Sequence, residues 1–286
     1  FQSSLLLSIA LNKQSPYKNL LVHGFVVDES NRKMSKSIGN VIEPIQAIYG
    51  VKNKLPQSGL DTLRFWVAHE YHKTQIQIGP SILEKFIKRV FEIRSIFRFM
   101  AGNLYDLNNL ENDLLSYKQL LPIDKFILSK LNSIIELVIE NYDDMNLNKS
   151  LSSIENFMLT SLSSFYIKSV KDRLYCNKLD SLERRSAQTA LYYVLINTML
   201  MISPITPHLA EEIFCYSILK KLLSTKSGDT FFRSNLALRS NNEWNNKSIE
   251  NLFQILNSIR EKFYEKVQTN NSATYEVKLL LDKNLF

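Results

Sequence analysis

Only two cysteines, Cys176 and Cys215, occur in the 286 residues, so there is no material here for a disulfide-rich scaffold or a cysteine-lined structural metal site. The four histidines, His23, His69, His72 and His208, stand at no zinc-like spacing to them, and no metal site is expected. Glycine and proline are scarce, seven of each, which excludes low-complexity linker as the bulk of the chain. A long hydrophobic run is also missing. The most apolar helical stretch, Thr189 to Ile202, includes Asn197 and falls short of the ~20 residues that a membrane span requires. The opening residues, Phe1-Gln2-Ser3-Ser4-Leu5, carry no methionine, basic region or cleavage site, so no secretory signal is expected there. No Gly-x-x-x-x-Gly-Lys-Ser/Thr segment occurs, which excludes a P-loop.

What is present is a 45% hydrophobic fraction, enough for a substantial core and, at this length, for two domains of ordinary size. The formal charge of +7 favours a polyanionic partner. No basic tail accounts for it. The excess gathers in patches, one over Glu84 to Arg98 and one over Phe165 to Arg185. A mostly apolar segment, Leu20 to Val27, reads as a strand that the polar turn Asp28-Glu29-Ser30-Asn31 ends. Leu60 to Ala68 suits a short packed helix with Asp61 as its early cap. Beyond Gly79-Pro80 the pattern turns helical. Ile82, Leu83, Phe86, Ile87, Val90 and Phe91 share one side of a helix running toward Met100. Ile127, Leu128, Leu131, Ile134, Ile135 and Val138 form the next stripe, within Asp124 to Tyr142, and Leu151, Ile154, Met158, Leu162 and Phe165 a third, within Ser150 to Ile167. Helices over Ala187 to Ile202 and Pro207 to Tyr216 follow, the latter with Thr206 as N-cap and Pro207 in the first turn. Ser224 to Asn246 reads as a connection, Leu252, Leu256, Ile259 and Phe263 as a further helix, and Tyr275 to Leu281 as a terminal strand.

The chemistry centres on a basic loop after the first strand. Arg32-Lys33-Met34-Ser35-Lys36-Ser37 sets three cations and two hydroxyls just ahead of Gly39. Such a loop can close over phosphates: Lys33 and Lys36 would neutralise charge that grows as a phosphate is attacked, and Ser35 and Ser37 would add hydrogen bonds. As a generic basic turn it would be solvated surface. The literal string Lys33-Met34-Ser35-Lys36-Ser37, however, matches the KMSKS signature, and the chain resembles the class I aminoacyl-tRNA synthetases, specifically the isoleucyl-tRNA synthetase family. The resemblance extends over Phe1-Gln2-Ser3-Ser4-Leu5-Leu6, His23-Gly24-Phe25-Val26-Val27-Asp28 and Gly39-Asn40-Val41-Ile42, and continues in Asp61-Thr62-Leu63-Arg64-Phe65-Trp66-Val67, Lys171-Asp172-Arg173-Leu174-Tyr175 and Arg185-Ser186-Ala187-Gln188-Thr189, reaching Phe214.

The resemblance implies a mainly α chain: the end of a Rossmann-like catalytic domain over 1–78, an anticodon-binding helical bundle over 79–223, and a small extension over 224–286. It implies ATP as substrate, with Mg2+ accompanying it, and isoleucine and tRNA(Ile) as partners, the whole protein joining them through an aminoacyl adenylate. Lys33 and Lys36 take the catalytic role, Met34, Ser35 and Ser37 shape the loop, and His23 and Gly24 stand at the nucleotide-facing end of the strand. Lys168, Lys171 and Arg173 are the expected tRNA contacts, with Tyr166 and Tyr175 able to stack on bases. The plainer reading of that segment is that it joins bundle helices, with Asp172 tying down a cation. For Asp61 the choice lies between a cap and support of the active site; for His208, helix-start packing is favoured over chemistry. The family's HIGH motif, the acidic segment upstream of its F-Q-S-S stretch and its editing insertion are not in this sequence, so the chain by itself is expected to be inactive. A noncatalytic tRNA-binding module derived from a synthetase, or a synthetase for another aliphatic amino acid, are the alternatives, and a purely structural bundle leaves the loop without a role. A monomer with no membrane partner is expected. The positive balance and Asn/Lys-rich composition suit a mitochondrial matrix enzyme, with the cytoplasm as the alternative.

Overall fold

The computed structural model describes residues 1–223, 230–234, 236–238 and 240–266. Helix α1, Gln2–Asn12, buries none of its side chains, because its leucines lie all round the axis rather than on one face. The strand expected from Leu20 forms only at its end. Strand β1, Phe25–Val27, pairs in parallel with Gln75–Gln77 in the register Phe25 to Gln75 and Val27 to Gln77, while Leu20, Leu21 and Val22 stay exposed. Backbone groups need partners to stay extended, and among the described residues no strand lies beside 20–24. Helix α2, Pro44–Tyr49, follows, closed by a reciprocal cap between Glu43 and Gln46, and then α3, Leu60–Glu70, which leads into β2, Gln75–Gln77.

From here the chain is helical: α4, Pro80–Gly102; α5, Leu110–Asp113; α6, Pro122–Asp143; α7, Leu147–Asn156; a π-helical stretch, Phe157–Ile167; α8, Lys168–Cys176; α9, Leu182–Ile202; α10, Pro207–Tyr216; and α11, Leu219–Leu223. The apolar periodicity predicts α4, α6, α7 with the π-helical stretch, α9 and α10, whereas α5, α8 and α11 lie outside the predicted stripes. In α4, Leu83, Phe86, Val90, Ile93, Phe97 and Met100 recur every three or four residues, all buried but Val90, which is partly covered against the core. Each such side chain contributes about 1.5–3 kcal/mol by leaving water. Phe91, expected on that side, faces solvent. The π-helical turns bond at i→i+5, which rotates the later residues off a 3.6-residue stripe. Tyr166 therefore enters the core in place of Phe165, which is only partly covered. Helix α12, Lys247–Lys266, returns to α6, where Phe253 stacks on Phe126 at 4.4 Å between centroids and Glu250 accepts from the Ser129 hydroxyl at 2.5 Å, whereas Leu252 and Leu256 are exposed. The strand expected over Tyr275 to Leu281 lies outside the described residues.

The motif-bearing segments build the interior of the bundle. Asp124, fully buried, accepts from the Tyr166 hydroxyl at 2.6 Å, from both Arg173 terminal nitrogens at 2.9 and 2.8 Å, and from the Ser186 hydroxyl at 2.5 Å. Gln188 donates to the Asn103 carbonyl at 2.9 Å and to Asp106 at 2.6 Å, Thr189 accepts from the Leu115 amide at 3.0 Å, and Arg184 and Arg185 pair with Asp106 at 3.2 and 3.6 Å. Partners of this kind offset the cost of burying polar groups. The front and the bundle are clamped together by a second motif. Asp61 does not cap its own helix, whose N-cap is Gly59; its carboxylate accepts instead from the Leu209 amide at 2.6 Å and the His208 ring at 2.8 Å, capping α10 in place of Thr206. Arg64 donates to the carbonyls of Ile205 and Pro204 at 2.9 and 2.8 Å, and the Trp66 indole donates to the Gln77 carbonyl at 3.1 Å. One buried apolar cluster consequently runs from Ala47 through the helices to Trp244.

Candidate functional site

The loop after β1 is pinned at its base and open at its tip. Val27 and Lys33 bridge as antiparallel neighbours, the Asp28 amide donates to the Arg32 carbonyl at 3.0 Å, and Asn31 takes a left-handed conformation between them. Asp28 accepts from the amides of Ser30 and Arg32 at 3.0 and 2.9 Å, from Arg32 Nε at 3.0 Å and from Asn40 Nδ2 at 2.9 Å. The Asn40 amide bond, with the Arg32 backbone bond next, holds the Asp28 carboxyl down at about 2. Asn40 then returns its own Oδ1 to the Ser35 amide at 2.9 Å, so the two ends of the loop are stitched to one carboxylate.

Within that frame the chain makes one helical turn, which Gly39 closes in the left-handed region by donating to the Ser35 and Lys36 carbonyls at 3.1 and 3.2 Å. Met34 tucks against the core, the Ser35 and Ser37 hydroxyls bond each other at 2.7 Å, and Lys36 is exposed. Lys33, also exposed, lies over the Phe25 ring at 4.3 Å. Both lysines thus stand in solvent, Lys33 beside β1. His23 donates from Nδ1 to the Gly24 carbonyl at 2.8 Å, and Gly24 has a packing reason of its own: a Cβ there would lie 1.9 Å from the Thr74 carbonyl oxygen.

The expected RNA contacts do not gather. Lys168 and Lys171 are exposed on α8, but Arg173 is committed to Asp124 and partly covered, and Tyr166 is buried, so neither is presented to a ligand. The cation is tied down by Asp124, not Asp172. Burial works against the Arg173 charge, Asp124 outweighs it, and the guanidinium ends above its ordinary pKa. Burial and then the same carboxylate push the Tyr166 phenol well up.

A basic, aromatic surface forms elsewhere, around the C-terminal end of α4. A cleft of about 830 Å³ is lined by Arg94, Arg98 and Tyr105 on one wall and by Tyr216, Lys220 and Lys221 on the other. Tyr216 is 88% exposed and Tyr105 65%, proportions that leave their ring faces available for stacking. Arg94 pairs with Glu212, whereas Arg98 is in no ion pair among the described residues. Arg98 and Tyr105 also line a second cleft of about 500 Å³ with Tyr175, so the surface continues toward α8. The basic patch over Glu84 to Arg98 was the sequence signal for Arg94 and Arg98; nothing local in the sequence marks Tyr105, Tyr216 or Lys221, which come together only through the packing of α4 against α10. Among the described residues no group of three His, Cys, Asp or Glu side chains can hold a metal ion, and no helix is long and apolar enough to cross a membrane.

Residues 1–79 match the family described as tRNA synthetases class I (I, L, M and V), and residues 124–279 match the anticodon-binding domain of tRNA ligase. The mitochondrial isoleucine–tRNA ligase of Macaca fascicularis is 35% identical over 100% of this chain and 28% of its own length. The isoleucine–tRNA ligase of Fervidobacterium nodosum is 42% identical over 77% of this chain and 23% of its own. The chain therefore spans only about a quarter of the length of these relatives. Among solved structures, the methionyl-tRNA synthetase of Mycobacterium tuberculosis in complex with methionyl-adenylate superposes with a TM-score of 0.55 at 16% identity, over 76% of this chain and 40% of that one. A LeuRS–tRNA–LeuAMS ternary complex from Agrobacterium radiobacter K84 gives 0.53 at 18%, over 73% and 24%. At those identities the likeness is one of fold.

Proposed function

We infer that this chain, which belongs to the class I tRNA synthetases of the isoleucine, leucine, methionine and valine group, supplies the phosphate-handling loop and the anticodon-binding bundle of an isoleucine–tRNA ligase. The whole protein would join isoleucine to the α-phosphate of ATP, brought with Mg2+, release pyrophosphate, and pass the acyl group to the terminal ribose of tRNA(Ile). In that scheme Lys33 and Lys36 meet the charge that develops on the departing pyrophosphate, while Met34, Ser35 and Ser37 hold the turn that carries them. Charge complementarity accelerates the step only if it is strongest in the transition state and already organised. The observation that carries the reading is the double stitch of Asp28 and Asn40, which fixes both ends of the loop while leaving its lysines exposed. His23 and Gly24, next to it on the chain, are proposed for the nucleotide side.

For the tRNA we propose the surface around Arg98, Tyr105 and Tyr216, with Lys220 and Lys221, Lys168 and Lys171 adding phosphate contacts and Arg173 serving the fold. The division into 1–78, 79–223 and 224–286 is likewise proposed for the parts' roles. The exposed apolar side chains of the front, Leu6, Leu7, Leu11, Leu21, Val22 and Phe25 among them, are proposed to dock on the rest of the nucleotide-binding domain, and this chain by itself is predicted to be inactive. A mitochondrial matrix location and a monomer belong to the same proposal, with mitochondrial relatives in support of the former. The test is ATP–pyrophosphate exchange by the intact protein with isoleucine, valine, leucine or methionine as the amino acid. Exchange should respond to isoleucine above the others and be missing from the 286-residue chain; exchange by that chain alone, or preference for another amino acid, would reject the assignment.

A further inference from the structure

The turn that feeds the lysine loop also begins the bundle. Helix α4 starts at Gly79-Pro80, and Gly79 brings no side chain to the free amides of the first turn. Their acceptor comes from 52 residues earlier: Glu29 Oε1 takes the Ser81 amide at 2.9 Å and the Ser81 hydroxyl at 2.6 Å, with the Ile82 amide at 3.4 Å. A Cβ on Gly79 would lie 2.3 Å from Glu29 Cγ, so Glu29 fills the space in which a local cap would stand. Its neighbours tie the same turn to the loop on one side and to β2 on the other. Asp28 collects Arg32 and Asn40, and Asn31 Oδ1 accepts from Gln77 Nε2 at 2.7 Å.

Resting on the function proposed above, we propose that Glu29 is a positioning residue for the loop: by capping α4 it fixes the base of Lys33 to Lys36 on the helical bundle. It touches no reacting atom. A loop loosened at that base spends less time with its lysines where pyrophosphate charge develops, which lowers the rate of the chemical step more than it weakens amino-acid binding. Asp28 and Asn40 fix the loop's internal shape, and Glu29 fixes where that shape sits relative to α4.

The experiment uses the intact protein with Glu29→Ala, Glu29→Gln and Gly79→Ser, read by amide hydrogen exchange and by isoleucine-dependent ATP–pyrophosphate exchange. Glu29→Ala should raise hydrogen exchange over 33–40 and in the first turn of α4, and lower kcat by about tenfold with KM for isoleucine unchanged. Glu29→Gln, which keeps an acceptor oxygen, should restore most of both. Gly79→Ser offers α4 its own cap and displaces Glu29, so the helix start should stay protected while the loop loosens. Unchanged loop exchange in both Glu29→Ala and Gly79→Ser would reduce Glu29 to a helix cap and overturn the proposal, as would an equal loss of kcat in Glu29→Gln and Glu29→Ala. Should Glu29→Ala fail to fold, Gly79→Ser decides alone. A wild-type protein without isoleucine-dependent exchange would sink the functional reading, while the hydrogen-exchange arm would still decide whether Glu29 positions the loop.

Discussion

Two aspartates organise this molecule with similar chemistry and opposite reach. Asp28 accepts from two amides, one arginine nitrogen and one asparagine, all between residues 30 and 40. Asp124 accepts from a tyrosine, an arginine and a serine that arrive on the π-helical stretch, α8 and α9. The first is partly covered and closes a loop onto itself; the second is fully buried and closes a bundle. A carboxylate with local donors specifies the shape of a segment, whereas one with distant donors specifies which segments meet. The loop can thus keep exposed lysines in a defined turn with only Met34 turned to the core, and the bundle can hold the Asp124 charge inside because its donors have defined places.

The comparison breaks most visibly if Asp124 is removed. Asp124→Ala leaves the Arg173 guanidinium without its counter-charge and three donors without an acceptor, and should cost about 3–5 kcal/mol of stability. Chemical denaturation is the measurement, with Asp28→Ala as control; its donors can turn to water, so global stability should change little. Comparable losses in the two variants would mean that the surface hub also supports the global fold. Next in size is Lys36→Ala in the intact protein. Loss of one organised donor of charge stabilisation should slow adenylate formation by about a hundred- to a thousandfold, with the denaturation midpoint unmoved. Rapid-quench measurement of adenylate would show it, and a normal burst would remove Lys36 from the chemistry.

A smaller effect separates the two candidate RNA surfaces. Arg98→Ala with Lys221→Ala should weaken tRNA binding by several-fold and flatten its salt dependence, each phosphate contact contributing about 0.7–0.9 to the slope of log K against log salt. Lys168→Ala with Lys171→Ala should do less, since of the two only Lys171 lines a cleft, and that cleft holds no arginine. Titration across a salt series ranks them, and a larger loss from the α8 pair would move the interface to α8.

How much of this was legible beforehand follows from the range of the interactions. The helices of the bundle could be read because burial repeats every three or four residues, and the lysine loop because its string is distinctive. The π-helical stretch could not, since i→i+5 bonding leaves the composition unchanged while shifting Tyr166 inward over Phe165. Arg173 looked like a phosphate ligand because a cation next to tyrosines has the right composition; its partner stands 49 residues away and only the fold brings it there. Asp61 reads as the cap of its own helix, but the helix it caps begins 146 positions later in the sequence, at Pro207. Tyr216 and Lys221 carry no local signal at all, because the cleft belongs to neither helix alone.

The finest test of the comparison is the titration of Asp28. Its carboxyl lies at about 2, below the ordinary 3.8, chiefly through the Asn40 amide bond and then the Arg32 backbone bond. A carboxyl depressed in the folded state contributes stability that is fully present above its unfolded value and lost as pH falls through the folded one. The stitch at the base of the loop should accordingly survive acidification from pH 7 past 3.8 and let go only near pH 2, provided the core still holds. Carboxyl carbon shifts of Asp28, followed by NMR, should give that midpoint in the wild type. Asn40→Ala removes the largest cause, so the midpoint should rise toward 3.8 but stop short of it, because the Ser30 and Arg32 donors remain. The Ser35 amide, which loses its acceptor in the same variant, should become faster to exchange. A wild-type midpoint near 3.8, or one that ignores Asn40, would mean that the loop is not closed on this carboxylate in solution, and its exposed lysines would then lack the fixed base on which their proposed role depends.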